Sequence, residues 1–166
     1  MTDITGTATS MDAFIEKQAR TDAVVNIVLA GGINYWLTRG LPFVPGTLPF
    51  GDPAPNLGGT LIAIAVLMSI LLTLIVYAIT VSQRKSGKII PGLPPAVRAG
   101  FAPVALTLKH LALTLVPAII IGIVLRTAAP ELRFSPVLFI VIVTVIAAVL
   151  AYFMSKSTTR ATLKLE

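Results

Sequence analysis

Four long apolar stretches lie between the charged residues of this chain, and they constrain its fold more than any other feature. One lies between Asp22 and Arg39, and the others at about 60–81, 104–125 and 136–154. A hydrocarbon core of about 30 Å requires roughly 20 apolar residues in a helix. A lone strand in lipid leaves its backbone unpaired, so even the β-branched fourth stretch is predicted to be helical. The sequence therefore predicts an all-α bundle of four transmembrane helices.

The composition excludes other classes of protein. Only 12% of the residues are charged, 55% are hydrophobic and the mean hydropathy is +0.91, whereas a soluble domain carries about a quarter charged residues. A soluble globular protein and a disordered one are both excluded. The absence of cysteine excludes disulfide frameworks, thiolate metal sites and cysteine nucleophiles.

The whole chain, residues 1–166, is predicted to form a single membrane domain. The first apolar stretch is about 16 residues long, or roughly 24 Å of helix, which is short for a span. Residues 11–22 have the pattern of a short interfacial helix, with a solvated turn as the alternative, and residues 1–10 are expected to be flexible. Ser135 and Pro136 are predicted to cap and begin the fourth helix. Residues 155–166 are expected to form a basic tail.

The basic residues predict the orientation in the membrane. Ten Lys and Arg lie in the N-terminal segment, the loop between spans two and three with the start of span three, and the C-terminal tail, whereas three arginines lie on the other side. Positively charged loops stay in the cytoplasm, so both termini are expected there. Anionic lipid accounts for the basic charge without nucleic-acid binding. The candidate lipid headgroup contacts are Arg84, Lys85, Lys88, Arg98, Lys109 and His110, the last two being expected at the interface rather than in a buried proton relay.

The loop at residues 40–59, on the outer side, contains five prolines and two phenylalanines. Prolines at this density prevent a helix and restrict the chain to extended and turn geometry. An ordered cap on the membrane surface and an ordinary stiff linker are both compatible with this composition.

Polar residues within the spans are candidates for packing or for a solute path. Asn26 and Asn34 share one helical face, so their amides are expected either to bond to a neighbouring helix or to line a path. Pro117 interrupts the third span and predicts a kink. The hydroxyl groups expected to take part in this packing belong to Ser69, Thr73 and Thr114.

The spans contain no acidic residue, and this limits the chemistry that we expect. Transporters driven by protons usually depend on carboxylates inside the membrane, so proton coupling within one subunit is not expected. No histidine or acid is placed to activate Ser69, Thr73 or Thr114, and a non-enzymatic protein is therefore predicted. With a single histidine in the chain, no metal, haem or other cofactor is expected.

Residues 26–46, which read NIVLAGGINYWLTRGLPFVPG, resemble the first span and outer loop of small uncharacterised bacterial inner-membrane proteins. The resemblance lies in an Asn-containing helix that ends in an Arg-Gly-Leu-Pro element and in a Pro-containing loop. It implies a four-span chain in a bacterial cytoplasmic membrane and supplies no activity. The matching positions are Asn26, Arg39, Gly40, Leu41, Pro42, Val44 and Pro45.

These observations favour a protein that acts by contact, either as an accessory or assembly subunit of a larger membrane protein or as a homo-oligomer. The alternative is a small oligomeric channel or transporter with a polar path near Asn26, Asn34 and Pro117. A position of these residues at a water-filled interface would favour the alternative, whereas burial in their own bundle would count against it.

Overall fold

The computed structural model describes residues 4–47, 52–89 and 102–163. Over these ranges the chain consists of long helices and one pair of very short strands. The elements in chain order are α1 (Ile4–Thr38), β1 (Val44–Pro45), α2 (Leu57–Leu67), a π-helical segment (Met68–Leu72), α3 (Thr73–Lys85), α4 (Ala102–Ala128), β2 (Arg133–Phe134) and α5 (Pro136–Leu163).

The helix α2, the π-helical segment and α3 follow one another without a break, and we call them together the α2–α3 helix (Leu57–Lys85). This helix, α4 and α5 are the three in the described part of the chain that are long and apolar enough to cross a membrane. The protein is therefore a helical, multi-pass membrane protein by length and composition. The first predicted span lies within α1, which is not among these three helices; its apolar half is short and contains Asn26 and Asn34.

The structure differs from the prediction at the N-terminus. An interfacial helix and a separate first span were expected, yet α1 is one uninterrupted helix of 35 residues. It also begins within the segment 1–10, of which residues 1–3 lie outside the described ranges. No proline occurs before Pro42, so the chain has no strong helix breaker between the two predicted elements.

Helix ends follow the local sequence. The Ser135 hydroxyl accepts a hydrogen bond from the Leu138 amide at 3.3 Å, and Pro136 is the first helical residue of α5, which confirms both predictions. Asn56 caps α2 in the same way, with its side-chain oxygen 2.8 Å from the Gly59 amide. Gly87, with φ of +71°, lies just beyond α3, where glycine adopts the left-handed conformation without strain.

Helix α5 lies at the centre of the packing. It packs along α1 on one side and along the α2–α3 helix on another, and α4 packs on the α2–α3 helix. Contacts of Glu16 with Tyr152, and of Gly31 with Thr144 farther along, make α1 and α5 antiparallel. Every fourth residue along α5 is buried, which gives it one continuous packing edge: Phe139, Val143, Ala147, Ala151, Ser155 and Thr159.

The loops at one end of the bundle are joined by the two short strands. Val44 pairs with Phe134 and Pro45 with Arg133 in antiparallel register, and Val44 is fully buried. The Arg133 guanidinium lies 4.3 Å from the centre of the Phe43 ring. In its described parts, the proline-rich loop is thus held against the α4–α5 turn, as an ordered cap would be. We call this end the strand end and the opposite one, which carries most of the Lys and Arg, the basic end.

Candidate functional site

Polar side chains join the α2–α3 helix to α4 inside the bundle. The Ser69 and Thr114 hydroxyl oxygens are 3.0 Å apart, and Thr73 Oγ1 is 2.8 Å from His110 Nδ1. Ser69 and Thr73 are fully buried, and His110 is 3% exposed. We call these four residues the hydroxyl–histidine seam. Because they share their hydrogen bonds across two helices, they fix the rotation of each helix relative to the other.

The seam lies where the α2–α3 helix changes its winding. Met68–Leu72 is π-helical, with hydrogen bonds reaching one residue farther than in an α-helix. Ser69 lies within this segment and Thr73 follows it directly. Turns of this kind occur often at functional sites and change which later residues share a face with earlier ones. Here both hydroxyl groups that border the turn point to α4.

His110 uses one of its two ring nitrogens in the seam. Its Nε2 is buried and has no hydrogen-bond partner within the described ranges. The described residues contain no group of three His, Cys, Asp or Glu side chains that could hold a metal ion. The prediction that no histidine is placed near these hydroxyl groups is wrong for Thr73, because the His110 ring lies within hydrogen-bond distance of it; which ring nitrogen carries the proton depends on the tautomer.

A second polar group joins α1 to α5 near the basic end. The Tyr152 hydroxyl lies 2.9 Å from both carboxylate oxygens of Glu16, and Lys156 Nζ lies 3.0 Å from Glu16 Oε2. Arg20 Nε lies 3.0 Å from the other oxygen. We call these four residues the ionic cluster. It concentrates three donors on one carboxylate and so attaches the polar half of α1 to α5.

The ionic cluster changes the acidity of Glu16. Hydrogen bonding from Lys156, then from Tyr152 and Arg20, lowers the pKa of Glu16 from 4.5 to about 2. Each of these partners stabilises the ionised carboxylate more than the neutral acid. Glu16 is therefore ionised at all pH values near neutrality.

A neighbouring contact extends this attachment along the same two helices. The Ser155 hydroxyl donates to Asp22, and the Gln18 side-chain amide lies 3.1 Å from both oxygens of the same carboxylate. The sequence analysis missed these contacts because it ended the fourth helix at residue 154. The sequence did contain a signal for them. Tyr152 and Lys156 are one helical turn apart, and both can donate a hydrogen bond to a carboxylate such as that of Glu16.

The structure does not bring the predicted path residues together. The Asn26 and Asn34 amides each donate to a carbonyl one turn earlier in α1, those of Asp22 and Ala30, at 2.8 Å. The expected bonds from these amides to Ser69, Thr73 or Thr114 are replaced by bonds within α1, because α1 packs on α5 instead. Asn34 is buried in its own bundle, whereas Pro117 lies exposed on α4, which α1 does not pack against.

The candidate headgroup contacts also divide by position. Lys85, Lys88 and Lys109 are exposed at or near the basic end. His110 lies in the seam, and Arg84 is 3% exposed and donates to the Thr162 carbonyl at 2.6 Å. Both therefore lie inside the bundle rather than on its surface, Arg84 because α5 extends farther than predicted and covers it. Arg98 lies outside the described residues.

No protein-family model, curated protein or solved structure matches this chain. The resemblance of residues 26–46 to small bacterial inner-membrane proteins therefore stays a prediction.

Proposed function

We propose that the chain is a non-enzymatic membrane protein that acts by contact, either as an accessory or assembly subunit or as a homo-oligomer. The contact surface is the outer face of α1, which we define as Val24, Val25, Val28, Gly32, Tyr35 and Trp36. Its partner is an apolar transmembrane helix, from a second copy or from a larger protein.

The observation that carries the proposal is the exposure of this face on a marginal span. Helix α1 packs on α5 along one side, and Val28, on the other side, is 67% exposed. The apolar part of α1 is about 16 residues long, so it is too short to match a 30 Å core by itself. Oligomerisation is one of the ways in which a short span is accommodated in a bilayer.

Gly32 supports the same surface. A Cβ atom at this position would meet no other atom within 4 Å, so the fold of the chain itself does not require glycine there. Glycine in a helix costs about 1 kcal/mol relative to alanine. Small residues on membrane helices allow a second backbone to approach closely. Close packing against a partner helix would therefore explain a glycine that the fold of this chain does not need.

The same proposal includes a position in the cytoplasmic membrane of a bacterium, with the basic end on the cytoplasmic side. The exposed Lys85, Lys88 and Lys109 all lie at or near that end, in agreement with the charge bias of membrane proteins. Helix α1 crosses the membrane in this orientation, with its ionic cluster at the cytoplasmic surface and Trp36 near the outer surface.

The chain contains no cysteine, so a single introduced cysteine tests the surface cleanly. We would place it at Val28 on α1 or, as a control, at Leu113 on α4, which is 62% exposed and equally apolar. Each variant would be labelled with a benzophenone maleimide and irradiated in native membranes. We expect one discrete cross-linked protein from position 28 and none from position 113.

A second substitution in the Val28→Cys background tests close approach. Gly32→Leu fills the outer face and should abolish the cross-link, whereas Ala112→Leu on α4 should leave it intact. Ala112 is the control because it is also a small, exposed residue of an apolar helix. Cross-linking to lipid alone, or equal yields from Val28 and Leu113, would contradict the proposal.

A further inference from the structure

A cleft opens between α4 and α5 at the basic end. Helix α4 packs chiefly on the α2–α3 helix and α5 packs chiefly on α1, and the two hardly pack on each other, which leaves a groove between them. The groove has a volume of about 570 Å³. It is lined by polar residues, Lys109, Lys156, Ser157 and Arg160, and by apolar ones that include Leu106 and Phe153. We call it the α4–α5 cleft.

The charges in the cleft are of one sign. Lys109, Lys156 and Arg160 lie around the same space, and none of the described residues that line it carries a carboxylate. Glu16 reaches Lys156 from the α1 side, so one of the three cations is already paired. Within the described ranges, neither Lys109 nor Arg160 forms an ion pair. An anion that lies between converging cations reduces their mutual repulsion, so the cleft attracts negatively charged ligands.

The chemistry of the lining fits a phosphate group. Arg160 offers planar, paired donors that match phosphate oxygens, Lys109 adds a compact positive charge, and Ser157 adds a hydroxyl. Because Leu106 and Phe153 line the same cleft, one part of a ligand would lie against apolar side chains. A phospholipid has both parts, a phosphate and an acyl chain, whereas a soluble phosphate has only the first.

We propose that the α4–α5 cleft is a binding site for an anionic phospholipid, whose phosphate lies among Lys109, Lys156 and Arg160 and whose acyl chain lies against Leu106 and Phe153. The proposal requires only that the protein is embedded in a membrane, and it is independent of the outer face of α1. The site is defined by particular residues, whereas attraction by surface charge alone would place lipid anywhere around the basic end.

The test uses the whole chain in nanodiscs of phosphatidylcholine with increasing phosphatidylglycerol, and native mass spectrometry counts the bound lipid. We expect the wild-type protein to retain phosphatidylglycerol in preference. Each Lys or Arg near a membrane surface contributes about a fivefold effect on attraction to anionic lipid. The double variant Lys109→Gln/Arg160→Gln should therefore lose about 25-fold in that preference.

Two controls separate a site from general attraction. Lys17→Gln/Lys88→Gln removes the same charge outside the cleft, so it should lower the preference for anionic lipid much less than Lys109→Gln/Arg160→Gln does. Ala161→Trp keeps every charge but fills the cleft, since Ala161 is one of its lining residues, and it should lose the lipid as well. Equal losses in both double variants, or full retention in Ala161→Trp, would overturn the proposal.

Inorganic phosphate serves as the final arm. Added in millimolar excess to phosphatidylcholine nanodiscs, it should not raise the midpoint of thermal unfolding, whereas phosphatidylglycerol should raise it in the wild-type protein and not in Lys109→Gln/Arg160→Gln. An equal rise with inorganic phosphate would make the ligand a soluble anion and would overturn the assignment to lipid.

Discussion

At the residue scale, the effect of an interior polar group on the fold depends on whether its hydrogen-bond partner lies on another helix or on its own. Thr73 bonds to His110 on another helix, whereas Thr80 donates to the Val76 carbonyl on its own. A bond within one helix forms as soon as the helix does. A bond between helices requires the tertiary fold, so only the second kind specifies which helices pack together.

Replacing Thr73 by valine should destabilise the bundle. The change keeps the shape of the side chain but removes the hydroxyl, so neither ring nitrogen of His110 keeps a partner in the seam. We expect a loss of about 1 to 2 kcal/mol in the free energy of unfolding in detergent. Thr127→Val is the control, because Thr127 is exposed and bonds within α4, and it should change the stability by less than about 0.5 kcal/mol. Equal losses would contradict this role.

Glu16 predicts a dependence of stability on pH. Its pKa is lowered from 4.5 to about 2 in the fold, so its ionised form stabilises the protein above pH 4.5, and this contribution is lost as the pH falls from 4.5 to about 2. The unfolding midpoint of Glu16→Gln should lie below that of the wild type at neutral pH. The difference should shrink as the pH falls below 4.5 and should be largely lost by pH 2, where the Glu16 carboxyl becomes protonated in the folded protein as well.

Thermal unfolding in one detergent over that pH range measures this difference. Glu131→Gln provides the control, because Glu131 is exposed in the turn before β2 and forms no ion pair among the described residues. A gap between the wild type and Glu16→Gln that stayed constant with pH would contradict the ionic cluster.

The sequence predicted the identity of several interior residues but not their partners. Hydropathy placed Ser69, Thr73 and Thr114 inside spans, where the structure has them bonded between helices. Hydropathy placed His110 at the interface because it gives only the depth of a residue along the helix. It does not give the direction in which the side chain points. The direction depends on the neighbouring helix, and here Thr73 supplies the partner for the ring.

At the element scale, α5 determines how the bundle packs. Its buried edge of residues four apart changes from large side chains near the strand end to Ala147 and Ala151 and then to Ser155 and Thr159. Small residues let α1 and the α2–α3 helix approach the backbone of α5 closely. This gives α5 its central position between them.

A larger side chain in that edge should force the helices apart. Ala151 is fully buried, so Ala151→Leu should lower the free energy of unfolding by about 1 to 3 kcal/mol. Val149→Leu, at a position 48% exposed on the same helix, should have little effect. Chemical unfolding of both variants in mixed micelles provides the measurement, and equal stabilities would contradict the packing described here.

The ends of the helices show where sequence reasoning reached its limit. The start of α5 was predicted because Ser135 and Pro136 form a local signal. Its end at Leu163 was not, because the last turns are polar and hydropathy detects only the apolar part of a helix. For the same reason, the sequence analysis predicted two elements where the structure has the single helix α1. The polar half of α1 is helical too, and it attaches to the polar turns of α5.

At the scale of the whole molecule, the bundle has different ends and different sides. The strand end is closed by the paired strands, and the basic end carries the α4–α5 cleft and the ionic cluster. Among the sides, the outer face of α1 combines a short apolar segment with a glycine that the fold does not need. These features together motivate a function based on contact within the membrane.

The measurement that tests this account most directly is native mass spectrometry of the protein extracted mildly from its own membrane, compared with the Gly32→Leu variant. We expect the wild-type chain to be recovered with a second copy or with a larger membrane protein at fixed stoichiometry, and we expect Gly32→Leu to lose this partner while keeping its fold. A wild-type chain that is monomeric with only lipid bound, or a partner retained by Gly32→Leu, would contradict this account.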